Sequence, residues 1–218
     1  MSKLQLVIGN KNYSSWSLRP WIAMTMAGIP FRETLIPLDT PETAALIAQH
    51  SGAGRVPVLL HGRHTVWESL AIMEYLAELF PEKHLWPKAV SARAIARAVS
   101  NEMHAGFGAL RNALPMNLRR PRKPVRMSQQ VLKDVARIEH IWRDCRARFG
   151  KGGKFLFGRF SIADAMYAPV VTRFDTYAVK VADDTRAYMD TIMNNEAFNA
   201  WREAALKEPW IIHADEVD

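Results

Sequence analysis

From Leu85-Trp86-Pro87 onward the apolar residues recur at helical spacing, whereas before that point short apolar runs alternate with amphipathic stretches. This change of period restricts the fold more than any single motif: an α/β unit comes first and an all-helical unit follows. Ile95, Val99, Met103, Phe107, Leu110 and Leu114 fall three or four apart, so Ser91 to Leu114 reads as one long helix. Further helices are expected over Val131 to Cys145, Ile162 to Ala178, Tyr188 to Met193 and Phe198 to Leu206. Ser161-x-x-Asp164 stands immediately before one of them, where a reciprocal N-terminal box has a structural purpose. The domains expected are 1–81 and 91–218, joined by 82–90.

The first half begins with the apolar run Leu4 to Ile8, read as a buried strand. Asn10-Lys-Asn-Tyr-Ser-Ser-Trp-Ser then leads into a helix that Gly28-Ile29-Pro30 ends. Phe31 to Leu38 reads as a second strand, which makes a parallel crossover unit. Asp39-Thr40-Pro41-Glu42 looks like the start of a short helix through Ala44 to Ala48, because Asp or Thr can cap and Pro suits the first helical position. Arg55 to Leu60 and Thr65 to Trp67 flank a turn and form a hairpin, which Pro57 opens without an N–H. Glu68-Ser69 follows at the start of another helix, running to Leu79.

Two of these helix starts invite chemistry. Ser14, Ser15 and Ser17 occupy three of four positions at a helix N-terminus, more hydroxyls than one cap requires. The same end offers unpaired N–H groups and partial positive charge, which favour an anion. Capping and anion binding both remain open on sequence alone. Glu68 and Ser69 likewise read either as a cap with an acidic neighbour, or as an acceptor and a donor for a zwitterionic amino-acid group.

The chain has 218 residues, enough to bury a core, and carries a net charge of +7 with a pI near 9.7. Arg119, Arg120, Arg122, Lys123 and Arg126 form the densest basic cluster. It is read as a solvated loop between helices, since no aromatics are interleaved for stacking on bases, and no nucleic-acid partner is expected. The one cysteine, Cys145, lies at helical spacing among apolar residues and reads as a buried thiol. The seven histidines include no H-x-x-x-H pair, and no metal is expected. No apolar run is long enough to cross a bilayer, and Met1-Ser2-Lys3-Leu4 leads into a strand without a cleavage signal, so no membrane partner and a cytoplasmic setting are expected.

The order of these units, with Val56-Pro57 before the hairpin, Glu68-Ser69 at the next helix and the Ser161-x-x-Asp164 box in an all-helical remainder, resembles the cytosolic glutathione transferases. Ser14-Ser15-Trp16-Ser17-Leu18-Arg19 is similar to the Ser-Ser-Cys-Ser-Trp-Arg motif of their zeta class. Trp16 stands where that motif has cysteine. Arg173 lies earlier than the arginine the zeta class uses for a dicarboxylate, and Thr176 stands at that arginine's expected place.

The resemblance implies a thioredoxin-like N-terminal domain, an all-α C-terminal domain and a homodimer. It implies glutathione as co-substrate and a small electrophile as its partner, in a detoxifying transferase reaction. Ser14, with Ser15 its close competitor, would face the sulfur. Ser17, Arg55, Val56, Pro57, Glu68 and Ser69 would hold glutathione, with Glu68 and Ser69 at its γ-glutamyl end. Met103, His104, Phe107 and Arg111 are candidates for the electrophile pocket, although apolar residues at helical spacing are usually core, and His104 and Arg111 could instead meet across a subunit interface. Glutathione-dependent cis-trans isomerisation is the alternative chemistry; a glutathione-binding stress-response protein with little catalysis is the alternative from another class.

Overall fold

The computed structural model describes residues 3–217, and the expectation drawn from Met1 and Ser2 lies outside them. The first half consists of β1 (Leu4–Ile8), α1 (Ser15–Met26), β2 (Phe31–Leu35), α2 (Thr43–Ala48), β3 (Val58–His61), β4 (His64–Trp67) and α3 (Ser69–Leu79). The strand order is β2-β1-β3-β4, with β1 and β2 parallel and the other pairs antiparallel. Central β1 is buried on both faces, which is why it is apolar except at half-buried Gln5, whose amide donates to Thr34 Oγ1 at 2.9 Å. Leu4, Leu6 and Ile8 join the main core with α1 and α3, while Val7 packs with Ile36, Ile47 and Val58.

Several boundaries fall inside the expected ones: β3 starts at Val58 instead of Arg55, α7 ends at Thr176 instead of Ala178, and two others have a visible cause. β2 stops at Leu35 instead of Leu38. The Ile36 N–H still donates to the Ile8 carbonyl at 2.8 Å, Pro37 has no N–H, and the Leu38 N–H turns to Asn10 Oδ1 at 2.7 Å. α2 starts only at Thr43, not within Asp39 to Pro41. The Thr43 hydroxyl donates to the Pro37 carbonyl at 2.8 Å and accepts from the Thr40 N–H at 3.0 Å, so it anchors the turn that the helix was expected to include.

The second half contains a 3-10 turn at Pro81–Lys83, α4 (Val90–Ala105), α5 (Gly108–Ala113), α6 (Gln129–Phe149), α7 (Ile162–Thr176), α8 (Asp183–Met193) and α9 (Glu196–Leu206), with a second 3-10 turn at His213–Asp215. The single helix expected from Ser91 to Leu114 is broken. Gly106 is extended where a Cβ would lie 2.6 Å from the Glu102 carbonyl oxygen, and Phe107 takes a left-handed conformation with φ of 58°. The chain therefore changes direction between α4 and α5, and α5 packs against α6. Arg111 donates to the carbonyl of His104 at 3.3 Å, so the two residues meet within one chain.

Helix α7 is the central element, buried at every position from Ile162 to Phe174. It packs against α1, α4 and α8. Trp142 of α6 lies edge-on to Tyr167 and Tyr188, at 5.7 and 4.9 Å between ring centroids. Each such pair adds about 0.5–1.5 kcal/mol beyond area burial. Burial also pushes the Cys145 thiol up to about 12, so it is an inert core group.

The basic stretch is not uniformly solvated. Arg119 donates to the carbonyls of Glu208 and Trp210 and to the Tyr13 hydroxyl, and Arg120 donates to the carbonyls of Val217 and Lys123. These two tie the C-terminal segment down, while Arg122, Lys123 and Arg126 are exposed. The connecting stretch is docked as well: Leu85 and Trp86 are buried, and the Trp86 indole donates to Glu74 at 2.9 Å. Among the described residues no helix is long and apolar enough to cross a membrane.

Candidate active site

The loop after β1 is shaped from both halves of the molecule. Within it the Ser14 N–H donates to the Asn10 carbonyl at 2.8 Å. From the helical half, Glu208 accepts the N–H groups of Lys11 and Asn12 at 2.6 and 3.0 Å. Asn12 is held by Asn117 at 2.9 Å, and the Trp201 indole donates to the Lys11 carbonyl at 2.9 Å. Clamped in this way, the loop delivers the three serines at a defined position.

The serines do not cap α1. Ser14 occupies the cap position with φ of −77° and ψ of 80°, and its side chain makes no capping bond. Its hydroxyl donates to Ser17 Oγ at 2.7 Å, and Ser17 Oγ also accepts the Gly9 N–H at 3.1 Å. Ser17 is fully buried and serves the wall of the site from behind. Ser15 Oγ instead accepts from Arg173 Nη2 at 3.2 Å.

Ser14, Ser15 and Trp16 form one wall of a cavity of about 610 Å³. Leu38, Thr43, Gly54, Arg55 and Val56 face them, with the Val56–Pro57 peptide in cis. Arg111, Met116, Arg173 and Asp215 close the remaining sides. Of the residues expected at a site, Ser14, Ser15, Arg55, Val56 and Arg111 thus come together at one cavity. Pro57 is buried beside Val56 and does not line it.

Glu68, Ser69 and His104 form a second cluster, joined to the cavity wall through Trp16. His104 lies edge-on to Trp16 at 5.3 Å and its Nε2 is 3.7 Å from Glu68 Oε2. Glu68 has φ of 67° at the cap position of α3 and makes no capping bond. The Ser69 hydroxyl is buried with no partner. Met103 and Phe107 are core residues and line no part of the cavity: Met103 continues the buried face of α4 with Ala92, Ala96 and Val99, and Phe107 packs in the same core just past its end.

The charges here are mostly positive. The Arg19 guanidinium stacks on the Trp16 ring at 4.1 Å from its centroid and Arg111 lies at 5.3 Å. Arg19 is fully buried, and its Nε and Nη1 have no hydrogen-bond partner. Burial, reinforced by Arg173 and Arg111, lowers its pKa to about 9; burial and Arg111 lower that of Arg173 to about 10. Both remain charged at neutral pH. Burial and then Arg19 depress His104, which favours its neutral form. Among the described residues no group of three or more His, Cys, Asp or Glu side chains is placed to hold a metal ion.

Residues 13–79 match the family model of the glutathione S-transferase N-terminal domain, and residues 93–204 match that of the C-terminal domain. The chain belongs to the glutathione S-transferase family. Its relatives include glutathione S-transferase 1 of Dianthus caryophyllus, 28% identical over 180 residues that cover 78% of this chain and 76% of the relative. A probable maleylacetoacetate isomerase of Caenorhabditis elegans is 26% identical over 172 residues, covering 77% and 80%. Among solved structures, a glutathione transferase homolog from Burkholderia GL BGR1, crystallised with bound glutathione, superposes with a TM-score of 0.71 at 20% identity, covering 93% of this chain and 98% of its own. These glutathione S-transferase relatives account for the two-part architecture, a four-stranded mixed sheet with helices followed by a helical domain. This chain is a transferase of that family.

Arg173 and Arg19 were absent from the residues expected to form the site. The signal for Arg173 is visible afterwards: it is the one arginine in the apolar run Ile162 to Phe174. A cation there requires partners, but nothing in the periodicity names Ser15, 158 residues away.

Proposed function

We propose that this transferase binds glutathione in the 610 Å³ cavity and activates its thiol for attack on a small electrophile. The observation that carries this reading is the juxtaposition of two serine hydroxyls with Val56, beside a cis proline, on facing walls of one cavity. Val56 would pair its backbone with the cysteinyl part, and Glu68 with the partnerless Ser69 hydroxyl would receive the γ-glutamyl end. In this division of labour, 1–81 holds glutathione, 82–90 connects and 91–218 shapes the electrophile side.

Of the two serines, the geometry supports Ser15. The Ser14 hydroxyl is committed as a donor to Ser17, whereas Ser15 Oγ accepts from Arg173 and keeps its own O–H for a ligand. A thiol of pKa roughly 8.5 is mostly protonated at neutral pH, and its thiolate is the nucleophile. Lowering that pKa by one to two units requires about 1.4–2.7 kcal/mol. A hydrogen bond to a charged group contributes about 1.5–3 kcal/mol, which is sufficient. The serine donates a hydrogen bond and forms no covalent bond.

Glutathione-dependent isomerisation is the second reading, favoured by Arg111 and Arg173 on the cavity wall, which suit an anionic substrate. A cytoplasmic homodimer with a detoxifying role belongs to the same proposal. Trp67, 51% exposed on edge strand β4, offers an apolar residue for a second copy, and sedimentation measures that assembly.

The deciding experiment combines thermal melting with the ultraviolet absorbance of bound thiolate. Glutathione should raise the melting temperature saturably in wild type. The thiolate signal should persist in Ser14→Ala and vanish in Ser15→Ala. No stabilisation of wild type at millimolar glutathione would sink the reading.

A further inference from the structure

We propose that Arg173 is a positioning residue for the reaction: its guanidinium, pinned by two backbone carbonyls, binds the oxygen of Ser15 so that the hydroxyl proton points at the thiolate of glutathione. The proposal rests on the reading of glutathione as co-substrate and adds what activates the serine.

Three observations carry it. First, Arg173 cannot swing. Its Nε donates to the Leu114 carbonyl at 2.8 Å and its Nη1 to the Pro169 carbonyl at 3.3 Å, which leaves Nη2 aimed at Ser15 Oγ at 3.2 Å. A planar guanidinium fixed at two corners fixes the third. Second, its charge is not neutralised. Arg173 is 4% exposed, and among the described residues no ion pair includes Arg173, Arg19 or Arg111. Buried cations without a paired carboxylate are costly, and here buried Arg173 and half-buried Arg111 line the cavity while buried Arg19 lies behind Trp16 of its wall. Third, the Nε and Nη1 of Arg19 are buried without any partner, one turn along α1 from Ser15. An anion against Ser15 supplies the missing negative charge.

The titratable and charged groups around this point are Tyr13 from the loop after β1, Arg19 from α1, Arg55 from the segment before β3, Arg111 from α5, Tyr177 just past α7 and Asp215 from the C-terminal segment, with His104 of α4 behind Trp16. Asp215 is the one carboxylate acting on Arg173, and it makes no direct ion pair with it; burial raises its own pKa, with Arg173 opposing. When glutathione binds, its S–H bond breaks heterolytically, the proton passes to solvent water and the electron pair stays on sulfur. The Ser15 O–H, polarised by Arg173, donates to that sulfur.

The test is a pH titration of bound thiolate absorbance in wild type, Arg173→Lys, Arg173→Met and Ser15→Ala, with S-methylglutathione affinity measured beside it. That analogue has no ionisable thiol. In Arg173→Met the bound thiol should titrate at least one unit higher, so that the thiolate present near neutral pH falls about tenfold and returns by pH 9. Arg173→Lys should restore part of the shift, and S-methylglutathione affinity should stay within about twofold. Ser15→Ala keeps the Leu114 and Pro169 bonds, so it carries the test if Arg173→Met fails to fold; in its background Arg173→Lys should shift the titration less than it does alone. An unchanged thiol titration in the Arg173 variants overturns the proposal, as does an equal loss of affinity for S-methylglutathione, which marks a purely structural role. Wild type that binds no glutathione would instead remove the co-substrate reading on which it rests.

Discussion

Helices α1 and α7 pack against each other and each has a serine at its cap position, yet their N-termini are finished in opposite ways. At α7 the box is closed: the N–H and hydroxyl of Ser161 both donate to Asp164 Oδ2 at 2.9 Å, while Leu156 N–H and Tyr188 donate to its Oδ1 at 3.0 and 3.2 Å. At α1 no acidic residue stands in the first turn, the cap side chain makes no cap, and two buried guanidiniums lie nearby. A helix start that supplies its own anion is structural. One that leaves positive potential unmatched on a cavity wall is arranged for an anion from outside.

The largest effect should come from opening the closed end. Asp164→Ala removes the acceptor of four donors in the core and should cost about 3–5 kcal/mol near pH 5 in urea unfolding, since it breaks a buried network. Burial, opposed by its hydrogen bonds, leaves Asp164 at about 6, above the ordinary carboxylate value. Its protonated form is therefore bound more tightly in the folded state. The part of the stability due to that protonation is complete below about pH 4 and is lost as pH rises through 6, so the gap between wild type and Asp164→Ala should narrow over that interval. A gap that widens instead would break this account.

At the open end the expected loss is functional. Ser15→Ala should reduce turnover about 100-fold at neutral pH, equivalent to about 2.7 kcal/mol, while costing about 1 kcal/mol or less of stability. Comparable activity in Ser15→Ala and wild type would mean that the two helix starts differ less than their geometry suggests. Next in size, Ser161→Ala should cost about 1–2 kcal/mol of stability and leave bound thiolate absorbance unchanged, which is the reverse pattern. The smallest effect belongs to α3: the buried Ser69 hydroxyl has no partner, so Ser69→Ala should alter stability by no more than about 0.5 kcal/mol. It should weaken glutathione binding about five- to tenfold by calorimetry, the value of one lost hydrogen bond. Unaltered affinity would remove Ser69 from the glutathione site.

Much of the fold was legible because the hairpin, α3, α6, α8 and α9 carry the period of the element they form, while α1 and α7, buried almost throughout, were marked by the serine-rich start and the Ser161-x-x-Asp164 box before their apolar runs. The break between α4 and α5 was not. Met103, Phe107, Leu110 and Leu114 keep helical spacing across it, since all four are buried in the core, and periodicity records burial without recording continuity. Ser14, Ser15, Val56 and Arg111 were recognisable as residue types and do share a cavity, but their spacing could not show that Ser14 donates to Ser17 while Ser15 accepts from Arg173, the contrast on which the proposal of Ser15 rests.

By itself the sequence determined the two-part architecture and the surplus of hydroxyls at the start of α1, because both follow from patterns within a few turns of chain. Only the tertiary structure decided which serine keeps a free proton. That depends on Arg173 reaching Ser15 across 158 residues, and such a contact is set by how α7 packs on α1. Local spacing encodes the face a residue occupies; the partner it meets there is supplied by the rest of the core.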